Sequence, residues 1–270
     1  MSVFPPRRLR AIWPQACLLA VLGGCVPLGM SLPSDDEAPS PDGGRIKPAL
    51  GWLTTRPGDT PGGGPEGQLA IQVVRFGGRA YLQQVRRYKV GDAMYGDSVL
   101  LDRSSLRPYE TWRWTPRGTY IARYNHRIIE RTFRPVRGVP TRSSETLDVE
   151  PYSALGIELI IASLPLGQGY HGILPVAVDT AARGWSWIRF EVQTEMDIQE
   201  RPDQKGINAW IVDCDNGVNS SGLERTRLYI AVDGRSVRKM EHLDADNKVL
   251  GTLRRMLLGA PAQAPRKVGE

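Results

Sequence analysis

The chain of 270 residues carries only three histidines and three cysteines, and none of them falls into a CxxC or HExxH spacing. Zinc sites depend on such spacings, so no metal centre is expected. Nor is there an apolar run of the roughly 20 residues that a bilayer-spanning helix needs. The glycine groups Gly62-Gly63-Gly64 and Gly77-Gly78 match no phosphate-binding pattern, and no cofactor motif is present. Dense lysine and arginine clusters interleaved with aromatics are also missing, which disfavours nucleic acid as a partner.

What is present begins at the amino terminus. Arg7, Arg8 and Arg10 precede a short apolar run, Ala16 to Leu22, followed by Gly23-Gly24-Cys25. A positive region, an apolar region and small residues in that order read as an export signal, here residues 1–24. The whole chain has a formal charge of +6, and removing that segment, with its three arginines and no acids, leaves +3. The basic balance therefore belongs partly to the signal.

Leu22-Gly23-Gly24-Cys25 resembles the lipobox of bacterial lipoproteins. The resemblance implies cleavage before Cys25, a diacylglycerol on its thiol and an acylated amine. Several acyl chains on one cysteine make a durable anchor, at about 0.8 kcal/mol per buried methylene. Val26 stands where that family places an aspartate as the inner-membrane retention signal, so the resemblance implies an outer-membrane lipoprotein facing the periplasm. Cys17 then leaves with the signal and Cys25 is acylated, so Cys214 has no partner for an internal disulfide.

From Pro27 to Pro65, prolines and glycines recur with few large apolar residues, as in a linker. Residues 25–66 are thus expected to be a lipidated cysteine followed by a tether. Residues 67–258 are expected to form the folded domain, and 259–270 a frayed tail.

Within 67–258, short segments rich in Val, Ile, Tyr, Trp and Thr alternate with turn residues, the signature of an antiparallel β protein of about ten strands. Gly77-Gly78 predicts a tight hairpin between Gln68–Phe76 and Arg79–Tyr88. Asn125 predicts a left-handed turn between the next pair. Arg225–Val232 alternates Leu228, Ile230 and Val232 with Arg227 and Tyr229, and Asp233-Gly234 turns it into Ser236–Leu243. One helix is expected from about Pro151 to Ser163, stopped by Leu164-Pro165, with an apolar stripe so wide that it must be buried on most sides.

In this order the segments resemble a family of exported Gram-negative proteins built on a domain of unknown function, and more distantly the half-barrel of periplasmic lipoprotein carriers. The matching stretches are Asp97 to Asp102 with Leu106-Arg107-Pro108, Leu164-Pro165-Leu166 with Gly169-Tyr170 and Leu174-Pro175, Ala209 to Val212, and Leu228 to Ile230 with Arg235 to Val237. The resemblance implies a strongly bent antiparallel sheet, a half-barrel, with the helix against its concave face. In the carriers that concavity holds acyl chains. No catalytic residue carries over.

Trp112 and Trp114 share one strand face, as do Trp185 and Trp187, because side chains alternate with a period of two. With Leu155 and Leu159 of the helix they are the candidate lining of a ligand groove. The competing reading, favoured by the usual burial of tryptophan, is that the indoles pack the core or shield the sheet. Cys214 lies between Asp213 and Asp215, which disfavours the thiolate that nucleophilic catalysis needs. The arginines at 225, 227, 235, 238, 254 and 255 read as a solvated strand face, or alternatively as a basic stripe for lipid head groups.

Together these features imply a non-enzymatic envelope lipoprotein, with no cofactor and no catalytic constellation. It would bind a hydrophobic or lipidic ligand, or an envelope protein, in its half-barrel. The alternative is an assembly role, pairing through sheet edges with no ligand cavity, and an apolar cavity would discriminate the two.

Overall fold

Alternating β-branched and aromatic residues build fifteen strands, joined in one continuous ladder, in the computed structural model of the protein. It describes residues 40–55, 66–178, 184–199, 206–215, 225–244 and 246–259. Cys25 and the expected signal lie outside the described residues.

The first half is a meander. It runs through β1 (Ala49–Thr55), β2 (Glu66–Phe76), β3 (Arg79–Val90), β4 (Ala93–Asp102), β5 (Pro108–Thr115), β6 (Gly118–Asn125), β7 (Ile128–Pro135) and β8 (Thr141–Thr146). A two-residue strand, β9 (Tyr152–Ser153), and the helix α1 (Ile157–Ser163) follow. The second half is β10 (His171–Ala177), β11 (Trp185–Ile198), β12 (Ile207–Asp215), β13 (Arg225–Ala231), β14 (Val237–Leu243) and β15 (Val249–Gly259). The spatial order is β8 back to β1, then β15 back to β9. All pairings are antiparallel except β9 with β10, and the first strand is sewn to the last by β1–β15. The ladder does not close into a barrel.

Gly77 and Gly78, with φ of 56° and 78°, make the expected tight hairpin between β2 and β3. Between β6 and β7 it is His126, not Asn125, that takes the left-handed conformation (φ 52°), because Asn125 still pairs with Ile128.

Fifteen strands exceed the expected ten or so, and three of them lie where no strand is expected. β1 lies inside the stretch read as tether, yet Ala49–Leu53 pairs with β2 and Ile46 is buried, so the folded unit starts before Gly67. β8 has the sequence Thr-Arg-Ser-Ser-Glu-Thr, which lacks the apolar alternation that marks a strand. β9 falls within the expected helix. There Ser153 pairs with Ala177 while its side chain accepts from the Leu155 amide at 3.1 Å, starting a 3-10 turn at Ala154–Gly156 that feeds α1. The helix is accordingly shorter than Pro151–Ser163 and ends as expected, with Leu164 extended before Pro165.

α1 fills the concavity of the bent sheet. Six of its seven residues, Glu158 to Ser163, are buried. Leu159 to Ala162 pack in one core with Leu69 and Ile71 of β2, Leu82 of β3, Val99 and Leu101 of β4, and, from the other half, Phe190, Val212, Leu228 and Ile230. Each such aliphatic side chain contributes on the order of 1.5–3 kcal/mol on burial. The space that a carrier would leave for its cargo is occupied here by side chains of α1.

Candidate functional site

Beneath α1 the packing is interrupted by charge. Glu158 is the acid in the first turn of the helix, 3% exposed, and faces β3 and β15. Gln84 and Arg86 stand two apart on β3 and so share a face, and Arg86 is directly opposite Asp97 in the β3–β4 register. The β1–β15 pairing sets Arg255 opposite Leu53, on the inner side of the seam. Oε1 of Glu158 accepts from Arg255 Nη2 at 2.5 Å, Gln84 Nε2 at 2.8 Å and Arg86 Nη1 at 3.2 Å, while Arg86 Nε donates to Asp97 at 2.7 Å.

Burial on its own would raise the Glu158 carboxyl. The fields of Arg255 and Arg86, with the hydrogen bonds from Arg255 and Gln84, outweigh it and hold the pKa at about 2. Burial likewise opposes the charge on Arg86, and Glu158 and Asp97 more than restore it. Such a cluster holds a helix to a sheet. A carboxylate kept ionised and enclosed by three donors is a poor proton donor, and Arg255 Nε and Nη1 and Gln84 Oε1 are left buried without partners.

The sheet's two ends meet through a second arginine. Arg131 of β7, 4% exposed, donates from Nε to the Val178 carbonyl beyond β10 at 3.2 Å and from Nη1 to Glu145 of β8 at 2.8 Å. Glu145 in turn accepts from the Gly184 amide ahead of β11 at 3.1 Å. A small core of Ala122, Tyr124, Ile129, Leu147 and Ala177, with Trp185 against it, lies beside this clamp.

The candidate groove residues fall into separate places. Leu155 and Leu159 are buried in the main core around α1. Trp112 and Trp114 stack on each other 6.3 Å apart, opposite Ser98 and Gly96 on the sheet face turned away from Val99 and Asp97. Trp185 and Trp187 meet edge-on at 4.8 Å, on the β11 face opposite Phe190. The structure therefore brings each indole pair together, and does not bring the two pairs or the helix leucines into one groove. No ring contact links the pairs among the described residues.

Cys214 is enclosed, and burial together with the nearby Asp213 charge pushes its thiol well above the ordinary value. His171 lies in the ladder row of Glu191 and Asp213, whereas Cys214 lies in the adjacent row with Phe190, so thiol and imidazole occupy opposite faces. Cys214 and His171 therefore do not form a pair. Among the described residues no group of His, Cys, Asp and Glu is placed to hold a metal ion.

Two open depressions lie on the surface formed by the described residues. One, of about 170 Å³, lies over β6–β8 and is lined by Tyr120, Phe133, Arg131 and Ser143 among others. The larger, of about 570 Å³, lies where the β2–β3 hairpin meets the loop after β4, and is lined by Asp42, Gly44, Arg79, Ala80, Asp102, Arg103 and Ser104. Beside it the backbones of Gly43 and Arg103 approach closely, and a Cβ on Gly43 would stand 2.2 Å from the Arg103 carbonyl oxygen. Neither cavity is lined by any of the six candidate groove residues.

Sequence reasoning did not single out Glu158 or Arg86, and placed Arg255 only in a solvated strand face or basic stripe, whereas it is buried against Glu158. The available signal was one acid in a helix otherwise too apolar to face water. No family model matches the chain, and no curated protein is significantly similar to it in sequence.

Proposed function

We propose that the protein is an envelope lipoprotein, tethered through Cys25 and non-enzymatic, that works by presenting a rigid β surface to another envelope component. The observation that carries this reading is the filled concavity. Side chains of α1 occupy the space in which a half-barrel carrier would hold acyl chains, with Ile160, Ile161 and Ala162 fully enclosed. Among the described residues no helix is long and apolar enough to cross a membrane, which agrees with attachment by an acyl chain.

The edge at β8 supports pairing as the mode of contact. β8 has a strand partner on one side only, and Thr141, Arg142, Ser144 and Thr146 are exposed. An edge of this kind accepts an added strand through its free backbone groups. The opposite edge, β9, is two residues long and buried, so it offers little.

Metabolic labelling with palmitate tests the tether: the wild-type chain should be labelled and Cys25→Ser should not. Mass spectrometry of organic extracts tests the mode of action. A lipid recovered in equimolar amount from purified protein would replace the assembly reading with carriage.

A further inference from the structure

The larger cavity and the aromatic tip beside it form a surface that the proposed function does not use. Phe76 ends β2 at the hairpin tip and is 60% exposed, and Tyr109, 40% exposed, bridges it to Tyr81 with ring centroids 6.1 and 5.3 Å away. Arg75 precedes Phe76, and Arg79 faces it across Gly77-Gly78. Arg79 then lines the cavity together with Arg103 and Ser104.

The charges around the cavity are unequally engaged. Asp102 Oδ1 already accepts from the amides and hydroxyls of both Ser104 and Ser105, at 2.6–3.1 Å. Asp42 caps the Gly44 amide and pairs with Arg45. Arg75 and Arg79 have no ion pair among the described residues, and Arg103 Nη1 is buried without a hydrogen-bond partner. What this end of the molecule has to spare is guanidinium donors, next to exposed rings.

We propose that this end of the sheet docks on an anionic phospholipid surface, with the exposed Arg75 and Arg79 of the hairpin tip at headgroup phosphates and Phe76 and Tyr109 seated at the level of the headgroups. Arginine matches phosphate geometry with paired donors, the tyrosine ring with its polar edge favours the membrane interface, and a protruding phenyl ring is an apolar anchor beneath the headgroups. A cationic rim around apolar side chains is the composition that binds anionic bilayers, whereas an acidic peptide would have no use for the protruding phenyl ring. The proposal does not rest on acylation. It adds a second, reversible contact that would fix the orientation of a tethered module.

The test uses the full chain carrying Cys25→Ser, mixed with vesicles of phosphatidylcholine alone or of phosphatidylcholine with phosphatidylglycerol, and sedimented. The amino-terminal segment, with its apolar run and Arg7, Arg8 and Arg10, gives a background on both vesicle types that wild type and variants share, so the deciding readout is the difference between them. The expected result is added binding to the anionic vesicles that weakens with salt and falls about five-fold in Arg79→Gln, equivalent to ~1 kcal/mol for one cationic side chain at an anionic surface. Phe76→Ser should lose a similar share. Both residues are exposed, and an unchanged thermal transition would show that the fold is intact. Binding that is equal on the two vesicle types, or unaltered by both substitutions, overturns the proposal. So does saturable binding of inorganic phosphate without vesicle binding, which would make the cavity a site for free phosphate. Either failure leaves the palmitate test of the tether unaffected.

Discussion

Arg255 Nη2 stands 2.5 Å from Glu158 Oε1, and the two side chains are 1% and 3% exposed. One comes from the last strand and the other from the helix. Their contact ties the seam of the sheet to the element that fills it.

Removing one partner should be costly. Glu158→Ala would leave Arg255 a buried cation without a carboxylate and Arg86 with Asp97 alone, and a loss on the order of 3–5 kcal/mol is expected in urea denaturation. Replacing both ends, as in Glu158→Met with Arg255→Met, should recover much of that loss, because apolar side chains of similar volume need no counter-charge. A double variant no more stable than Glu158→Ala would show that the cluster contributes beyond charge balance.

The same carboxylate sets an acid limit. Its pKa falls from an unfolded value of 4.5 to about 2 in the fold, so its contribution is fully present above the unfolded value and is lost as pH falls toward 2. The urea midpoint of the wild type should decline between pH 5 and pH 2 (roughly the window these two values define). In Glu158→Gln the decline over that window should be shallower.

Cys214 should be chemically silent in the native protein. Its thiol is buried and pushed upward by desolvation and by Asp213, so little thiolate exists at neutral pH. Iodoacetamide should label it only after denaturation, and rapid labelling of the folded protein would contradict the enclosed position.

Arg131 is expected to act as a latch between the two ends of the sheet. Arg131→Met keeps the stem and removes the bonds to Val178 and Glu145. Hydrogen exchange should then rise in β8 and at the start of β11, with a loss of about 1–3 kcal/mol because the Val178 carbonyl and Glu145 lose a buried partner.

Much of the sheet was legible because its signals are local. Gly77-Gly78 and Asp233-Gly234 mark turns by their own conformational freedom, and the strand read along Arg225–Val232 is found as β13, though Leu228 to Ala231 are all buried and the expected alternation is not kept. β8 escaped because its stabilisation comes from the β7 ladder and not from an apolar face. β1 escaped because proline and glycine on both sides outweigh seven residues of strand pattern. The arginines near the carboxyl end show the limit of reading charge without topology. Arg227 binds Asp213 through two bonds of 2.6 and 2.9 Å, Arg225 donates to Asn247, and Arg255 turns inward, so no uniform solvated stripe exists. The Glu158 cluster was out of reach for the same reason, since Arg86 lies 72 residues before its partner.

The junction of β1 with β15 also governs when the protein can become itself. A nascent chain holds the entire first meander and the helix before the final strand has been synthesised, and until then Glu158 lacks one of its two cations and the sheet has two raw margins instead of a seam. Long-range pairing of this sort delays completion to the end of synthesis. Without its last strand the polypeptide lacks both the seam and the Arg255 contact to the helix.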